Sequence, residues 1–193
     1  MSTTESSSLW QSYNAEDSFL PFFIPLIFWA ASYLLCQLPQ SVQSQSPFPL
    51  IKPPTLPWHE WHELHNIHNM GAVLLALISL YYNDDTIFNE RISILWNWSY
   101  FVVDLVDTAT RIDIPYVLHA ICCLGLGYFN YTTPLCRDLR MNSKACLLET
   151  SSPFLHVAKR TKNPIHFLLF ALAFTLCRIV WIPVMMVQLR RHE

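Results

Sequence analysis

Glycine and charged residues are scarce in this chain. Glycine occupies 3 of the 193 positions, whereas proline occupies 13. A loop-rich β protein needs glycine at many turns, so this balance indicates helices that proline interrupts at chosen places. Charged residues make up 13% of the chain, against about 25% in an ordinary soluble domain. Because 52% of the residues are also hydrophobic, the composition indicates a membrane protein, and its length allows one domain.

The chain also lacks the motifs of two other classes of protein. Its formal net charge is −2 and it has no basic run, so nothing predicts binding to nucleic acid. Its six cysteines include no C-x-x-C pair, and most lie in apolar stretches. We therefore interpret them as small packing residues and not as a disulfide or zinc framework.

The first residues are polar and contain neither Lys nor Arg, unlike the start of a cleaved signal peptide. We interpret residues 1–17 as a disordered tail and residues 18–38 as the first, retained membrane helix. A proline-rich linker follows over residues 39–57, and residues 58–190 form the main membrane domain.

Apolar segments predict the fold class, which is an all-α, polytopic membrane helix bundle of about six segments. The fifth segment is too short to cross a bilayer and contains Glu149 and Pro153, so we expect it to be short, broken or re-entrant. Within it, Ser152 and Pro153 predict a new helix that begins at Pro153 with Ser152 as its N-cap. Lys and Arg are spread almost equally over the two sides, so the sequence predicts no orientation. The six predicted segments are residues 19–38, 64–82, 92–108, 114–131, 145–157 and 165–189.

Arg178 lies near the centre of the sixth segment, which carries no other charge. A helix over that segment is about 37 Å long at roughly 1.5 Å per residue, enough to cross a hydrocarbon core of about 30 Å. A guanidinium at that depth costs about 2.5–3.5 kcal/mol, so we expect it to face the protein interior and find a partner. The candidate partners in other segments are Asp104, Asp107, His119 and Glu149.

The third segment carries a polar stripe. Its members recur at spacings of three and four residues, which places them on one helical face that should point into the bundle. Two interpretations stay open. The stripe lines a functional site, or Asp104 serves only to neutralise Arg178 while the last two members lie at the membrane interface. The stripe consists of Asn97, Tyr100, Asp104, Asp107 and Arg111.

Two groups of histidines are candidates for chemistry. A neutral His119 in the fourth segment is able to act as a general base, with Asp104 orienting its ring; the alternative is a histidine that one hydrogen bond satisfies. The run from His59 to His68 places a histidine at every third position, so the rings fan around a helix instead of converging on a metal. We predict no metal site, and we select His68, the deepest of the four, as the site candidate.

Five pieces of the sequence, in order, resemble the TLC domain, the membrane domain of ceramide synthases and of a group of lipid-homeostasis proteins. The most specific piece is the Glu149-Thr-Ser-Ser-Pro-Phe-Leu155 block. The other pieces are Trp61 with His68, Tyr100 to Asp104, Tyr116 to His119, and Phe174 to Ile179 with Pro183 beyond. The resemblance covers residues 58–189 and implies a lipid-facing polar cavity.

Three departures from the family pattern concern the chemistry. His119 is followed by Ala120 where the family often has a second histidine, the acidic pair of the ceramide synthases is missing, and His156 stands where asparagine is common. The resemblance therefore implies the plainer lipid-homeostasis branch in preference to a true ceramide synthase.

These observations predict an integral, multi-pass membrane protein that handles lipid in membrane lipid homeostasis, in the endoplasmic reticulum or else the plasma membrane. The alternative is an acyl-CoA-dependent N-acyltransferase of the ceramide-synthase type; an endoplasmic-reticulum cargo receptor ranks last. Membrane lipids are the expected partners, and no cofactor is expected beyond acyl-CoA as a substrate. The catalytic candidates are His119 and Asp104, and the cavity candidates are His68, Tyr100, Asp107, Glu149, Ser152 and Arg178.

Overall fold

A computed structural model of the chain describes residues 12–13, 15, 17–37 and 57–191, with only the backbone for residues 57–63. Within these ranges the chain is helical and contains no strand, which confirms the predicted all-α class. Most of the predicted tail, almost all of the proline-rich linker and the side chains of His59 and His62 lie outside the described residues.

For the first four predicted segments and the sixth, most helix ends lie within a few residues of the predicted ends. In chain order they are α1 (Leu20–Gln37), α2 (Pro57–Tyr82), α3 (Glu90–Thr110), α4 (Ile114–Thr132), α5 (Pro134–Asp138), α6 (Met141–Cys146), a 3-10 turn (Leu147–Ser151), α7 (Ser152–Thr161), α8 (Pro164–Phe174), a π-helical turn (Thr175–Val180) and α9 (Trp181–Arg190).

Three helices among the described residues are long and apolar enough to cross a membrane: Leu20–Gln37, Leu64–Tyr82 and Pro164–Arg190. α3 and α4 have 21 and 19 residues, so they are long enough as well, although they lie outside this set. α3 contains most of the polar stripe, and these polar side chains lower its mean hydropathy; Tyr100, Asp104 and Asp107 are nevertheless buried in the bundle. The protein is thus a membrane helix bundle.

α3 is the central helix and packs against α1, α2 and α4. Trp29 of α1 and Tyr100 of α3 are completely buried in the main hydrophobic core, which Ala120 of α4 joins from the other side. α3 and α4 approach closely at Gly127, where a Cβ atom would overlap the indole of Trp98. A small residue is therefore required there, because the Trp98 indole N–H donates to the carbonyl of Leu124, 3.0 Å away, and cannot easily move.

The fifth segment is broken but not re-entrant. Its α-helical pattern changes to 3-10 over Leu147–Ser151 before α7 begins. Arg140, directly before α6, contacts Asn83 just after the C-terminal end of α2, whereas His156 in α7 packs against His65 toward the other end. The segment therefore traverses the bundle. Its apolar part looked too short because polar turns continue the helix on both sides.

The break differs from the predicted cap by one residue. α7 begins at Ser152, and Ser151 occupies the N-cap position without a capping side-chain hydrogen bond. The hydroxyl of Ser152 instead donates to Glu149 at 2.7 Å. The Ser152 side chain thus acts as a hydrogen-bond donor to a nearby carboxylate, whereas a capping serine accepts from a backbone N–H.

α8, the π-helical turn and α9 form one continuous terminal helix of 27 residues, called the terminal helix below. It packs against α6, the 3-10 turn and α7, and no residue of α8 or of the π-helical turn is buried. The π-helical turn ends three residues before Pro183. Proline cannot donate to the carbonyl four residues back and crowds it, so the irregular turn lies where the regular helix would conflict.

Arg91 fixes the segment that precedes α1. Its guanidinium donates to the carbonyl oxygens of Ala15, at 2.6 Å, and Ser18, and its Nε donates to the hydroxyl of Tyr131 at 3.1 Å. These bonds hold the start of α1 against the start of α3 and the end of α4. Ala15 and Ser18 therefore lie at the end of the bundle where residues 83–89 connect α2 to α3, called the 83–89 end below.

Candidate functional site

The centre of the candidate site is a stack of two rings, one from α2 and one from α3. The imidazole of His68 lies over the phenol of Tyr100 with 3.8 Å between centroids and 15° between planes. The indole of Trp29 meets both rings edge-on, at 5.7 Å from His68 and 5.3 Å from Tyr100. All three side chains are buried, so α1, α2 and α3 are locked together at this level.

The hydrogen bonds of His68 indicate a neutral ring. Its Nε2 lies 3.1 Å from Oδ1 of Asn97, whose amide nitrogen donates to the carbonyl of Ser93 and to Sγ of Cys146. Nε2 must therefore carry the proton. Nδ1 lies 3.1 Å from the side-chain amide of Asn69, whose nitrogen otherwise has no acceptor. With that amide turned so that its nitrogen donates to Nδ1, both ring nitrogens of His68 have a partner and the ring is uncharged.

Tyr100 connects a histidine to a carboxylate. Its hydroxyl donates to Oδ1 of Asp104 at 3.3 Å, and the same oxygen lies 2.5 Å from Nδ1 of His65. Because a hydroxyl has one proton, His65 Nδ1 is the donor in the second bond. The result is a short chain from α2 to α3, with the phenol between an imidazole and a carboxylate.

The rest of the stripe continues away from the 83–89 end of the bundle. Asp107 is buried and forms an ion pair with Arg111, one turn further along α3. The hydroxyl of Tyr100 lies within electrostatic range of three carboxyl groups, those of Asp104, Asp107 and Glu149. The predicted interior face of α3 is therefore present, and its Tyr100 hydroxyl lies within electrostatic range of Glu149 in the fifth segment.

Arg178 finds its partner in Glu149, one of the four predicted candidates. Nη2 of Arg178 lies 3.4 Å from Oε1 of Glu149, and the guanidinium also lies over the ring of Phe174 at 5.6 Å. Glu149 is held in turn by the hydroxyl of Ser152. The Nε of Arg178 is buried and has no acceptor among the described residues, and 32% of the side chain is exposed.

His119 lies on the exposed part of α4, and its ring meets that of Phe101 edge-on at 5.8 Å. Its Nε2 is 3.6 Å from Sγ of Cys123, one turn along the helix. Among the described residues no hydrogen bond joins it to Asp104, the expected orienting carboxylate. The Cys123 thiol does lie within electrostatic range of Asp104 and Glu149, so this face of α4 is near the carboxylates.

A second buried polar cluster lies toward the 83–89 end and was not predicted from the sequence. Glu90 at the start of α3 is completely buried and accepts hydrogen bonds from the hydroxyls of Ser79 and Ser143, each at 2.6 Å, and from the Ser143 backbone amide. Arg140 pairs with this carboxylate at 3.8 Å and with Asp85 at 2.9 Å. The cluster joins α2, α3 and α6.

Arg140 was missed because it follows Arg137 in what reads as a basic surface connection. Its φ of 51° is unusual for a residue with a side chain, and Arg140 adopts it directly before α6, where its guanidinium points into the bundle.

The loop beside the cluster is exposed at Asp84, where two hydrogen bonds from Thr86 lower the pKa of the carboxyl group. All polar atoms named in the cluster have partners, so it serves as a structural clamp.

The described residues contain no group of three or more His, Cys, Asp or Glu side chains placed to hold a metal ion. The site consists instead of a polar layer between α2, α3 and the fifth segment, called the polar layer below. It comprises His65, His68, Tyr100, Asp104, Asp107, Glu149, Ser152 and Arg178.

The comparisons with known proteins give one family. The family model described as TLC domain matches residues 15–193 and therefore includes α1 as well as the residues that carry the resemblance. No curated protein and no solved structure matches the chain.

Proposed function

The chain belongs to the TLC-domain family, and on that premise we propose that it binds or handles lipid in its polar layer and acts in membrane lipid homeostasis. The observation that carries the proposal is the position of this layer. Polar side chains of α2 and α3 lie within electrostatic range of Glu149 in the fifth segment, inside a bundle that exposes many apolar side chains. Ionisable residues at membrane depth are rare, face the bundle interior or a cavity and commonly mark functional sites, which supports this proposal.

The apolar surface supports a ligand that comes from the bilayer. α4 packs on α3, α5 and α6, and the terminal helix packs on α6, the 3-10 turn and α7, without extensive contact between α4 and the terminal helix in the described chain. Both present exposed apolar side chains, such as Leu118 and Leu176. A lipid that enters between them meets Arg178 and Glu149 without leaving the membrane. The endoplasmic reticulum is the proposed compartment.

Lipid analysis of cells that lack the protein tests this function. We expect one class of membrane lipid to change in amount or acyl composition, and a wild-type copy to restore it. A copy with Asp104→Asn and Glu149→Gln should fail to restore it, whereas one with Asp84→Asn, an exposed carboxylate, should restore it fully. An unchanged lipid profile in the absence of the protein would contradict the proposal.

The alternative is an acyl-CoA-dependent N-acyltransferase, which the exposed position of His119 favours. The nitrogen of an amine would attack the thioester carbonyl, so that the C–N bond forms as the C–S bond breaks. His119 would take the amine proton, and coenzyme A would leave and be protonated as a thiol. In the second form of this alternative, His119 itself carries the acyl group.

Incubation of the purified protein with labelled acyl-CoA and a sphingoid base separates the two functions. Acylated product that disappears in His119→Ala would establish the enzyme. If no product forms with acyl-CoA of several chain lengths and His119→Ala fully restores the lipid profile, the result excludes catalysis at His119 and favours lipid handling. His166→Ala is the matched control, because His166 lies on α8 apart from the polar layer and bonds to Thr161.

A further inference from the structure

We propose that Arg178 and Glu149 bind an uncharged acyl lipid with a free hydroxyl group, such as a diacylglycerol, near the middle of the bilayer. The acyl carbonyl accepts a hydrogen bond from Arg178, and the lipid hydroxyl donates one to Glu149. This inference rests on the proposed lipid-handling function and names the class of lipid. It follows from the hydrogen-bonding groups that this pair leaves unused, from the neutrality of the pair and from its depth.

The guanidinium of Arg178 has donors that the described residues do not use. Its Nη2 donates to Oε1 of Glu149 at 3.4 Å, which is long for a charge-assisted bond. Nη1 forms no hydrogen bond with the described residues, and neither does the buried Nε. Since 32% of the side chain is exposed, a ligand is able to reach the guanidinium. An unused donor on a charged group is costly away from water, so an acceptor from a ligand lowers the free energy.

A purely structural ion pair looks different in the same protein. Each nitrogen of the Arg140 guanidinium donates to at least one acceptor. The acceptors belong to Asn83, Ser79, Phe88 and Asp85. The Arg140 side chain is also 5% exposed, against 32% for Arg178. Arg178 is thus both accessible and incompletely bonded, which a ligand would correct.

Glu149 is able to accept a further hydrogen bond. Its Oε2 accepts from the hydroxyl of Ser152 at 2.7 Å, and its Oε1 has only the long bond from Arg178. A carboxylate oxygen accepts more than one hydrogen bond, and 22% of the Glu149 side chain is exposed. A donor and an acceptor therefore lie side by side. In a diacylglycerol the free hydroxyl lies on the carbon next to an ester, so one lipid is able to use both.

The charge of the pair favours an uncharged ligand. Arg178 and Glu149 form an ion pair with each other and with no other described residue. The pair is therefore neutral. An anionic phosphate at Arg178 would place a second negative charge beside Glu149, whereas a carbonyl and a hydroxyl bond to both groups and leave the pair neutral.

The depth of Arg178 favours the same class of lipid. Arg178 lies near the centre of the terminal helix, which spans 27 residues from Pro164 to Arg190. At about 1.5 Å per residue that helix is roughly 40 Å long, so its centre lies deep in a hydrocarbon core about 30 Å thick. A phospholipid would have to bring a charged headgroup to that depth, which is costly. An uncharged lipid brings only a hydroxyl and carbonyls, and Leu176 and Ile179, 63% and 61% exposed, offer apolar surface to its acyl chains.

Retention of defined lipids by the full-length protein tests the proposal. The protein is purified in mild detergent, mixed with equal amounts of diacylglycerol, ceramide, phosphatidylcholine and phosphatidylglycerol, and passed through a gel-filtration column. Mass spectrometry then counts the lipids that remain bound. We expect the two uncharged lipids to be retained in preference to both phospholipids. Either one supports the proposal, and their ratio shows whether the bound carbonyl is an ester or an amide.

Two paired substitutions separate hydrogen bonding from charge. The first pair, Arg178→Leu with Glu149→Leu, removes donor and acceptor without leaving a lone charge. It should reduce the retention of the uncharged lipids by about tenfold, the loss of roughly one hydrogen bond to a charged group. The second pair, Arg178→Gln with Glu149→Gln, keeps donors and acceptors and should retain more lipid than the first. Arg190→Leu, on the exposed end of the same helix, is the matched control and should have no effect.

The thermal unfolding of each variant shows whether the bundle is intact. Unchanged retention by a folded variant with the first pair of substitutions would overturn the proposal. So would a wild-type preference for either phospholipid, or a second pair that retains no more lipid than the first. In these cases the protein still retains lipid, so lipid handling would stand. A wild-type protein that retains none of the four lipids would contradict both proposals.

Discussion

The imidazole of His68 lies flat against the phenol of Tyr100, with 3.8 Å between the ring centroids. This contact joins the two helices that supply most of the polar layer, and Trp29 closes it from α1. The stack therefore serves both the stability of the bundle and the placement of the Tyr100 hydroxyl between His65 and Asp104.

Replacing His68 by alanine should remove the stack and leave a cavity in the core. We expect the free energy of unfolding to fall by about 2–4 kcal/mol, the usual range for truncating a large buried side chain. Met70→Ala shortens a side chain on the exposed face of the same helix and should cost far less. Unfolding in detergent, followed by tryptophan fluorescence, measures both variants. Equal losses would show that the stack contributes nothing.

Tyr100→Phe should keep the stack and remove only the hydroxyl. Asp104 then loses a donor and His65 Nδ1 loses an acceptor, so we expect a cost of about 1–3 kcal/mol and reduced rescue in the lipid analysis. Tyr116→Phe makes the same change on the exposed surface of α4 and is the matched control. Indistinguishable stability and rescue for the two variants would contradict a role for the hydroxyl.

Gly127→Ala should separate α3 from α4. Its Cβ atom would overlap the indole of Trp98, which is held by its bond to the Leu124 carbonyl. We expect a loss of about 1–3 kcal/mol, as for overpacking elsewhere. Gly125→Ala lies two residues away with open space at its Cβ position and should be neutral or slightly stabilising, because alanine favours helix. Thermal melting temperatures that do not differ between the two would refute the close approach.

Arg140→Leu should be more damaging than the double change Arg140→Leu with Glu90→Leu. The single change leaves a buried carboxylate without its cation, at about 3–5 kcal/mol, and the double change removes both charges. Arg190→Leu on the exposed end of α9 controls for the loss of an arginine. A double mutant that is no more stable than the single one, by chemical unfolding, would show that Arg140 and Glu90 are not coupled.

The same comparison of a single with a double substitution applies to Arg178, with Glu149 as the partner. Arg178→Leu alone should lower stability, and Arg178→Leu with Glu149→Leu should recover part of the loss. The Arg178–Glu149 pair is more exposed than the Arg140–Glu90 pair, with 32% and 22% of the side chains accessible against 5% and 0%, so its coupling energy should be the smaller of the two. A larger recovery with Asp104→Leu than with Glu149→Leu would place the partner of Arg178 on α3 instead.

Much of the fold could be predicted from the sequence because the bilayer restricts the length of a crossing segment and the direction of its polar side chains. Apolar length predicts the crossings, and a polar residue in the middle of one must turn inward; this is why the stripe on α3 and the burial of His68 were predictable. The fifth segment was harder, since it begins with the polar residues Asn142 and Ser143, whose hydrogen bonds go to Ser93 and Glu90 of α3 and not to water.

The sequence predicted which residues belong to the candidate site, but not which of them contact one another. Four candidates for Arg178 follow from the sequence, and only the packing of the terminal helix against the 3-10 turn selects Glu149. Asp104 and His119 lie in neighbouring helices, yet the rotation of α4 places Phe101 against the imidazole. Nothing in the sequence pattern indicates that Glu90 and Arg140 are buried, because a charged residue at a helix end usually faces water.

The burial of Trp29 has a consequence for biogenesis. Its neighbour His68 belongs to α2, but Trp96 and Tyr100 belong to α3, so most of the surface that α1 packs against is translated only after α1 and α2. Until α3 is inserted, most of the surface of α1 that will be buried faces lipid or an insertion chaperone. Truncated nascent chains that stop before α3 should therefore remain bound to the insertion machinery, and release should coincide with the appearance of the third helix.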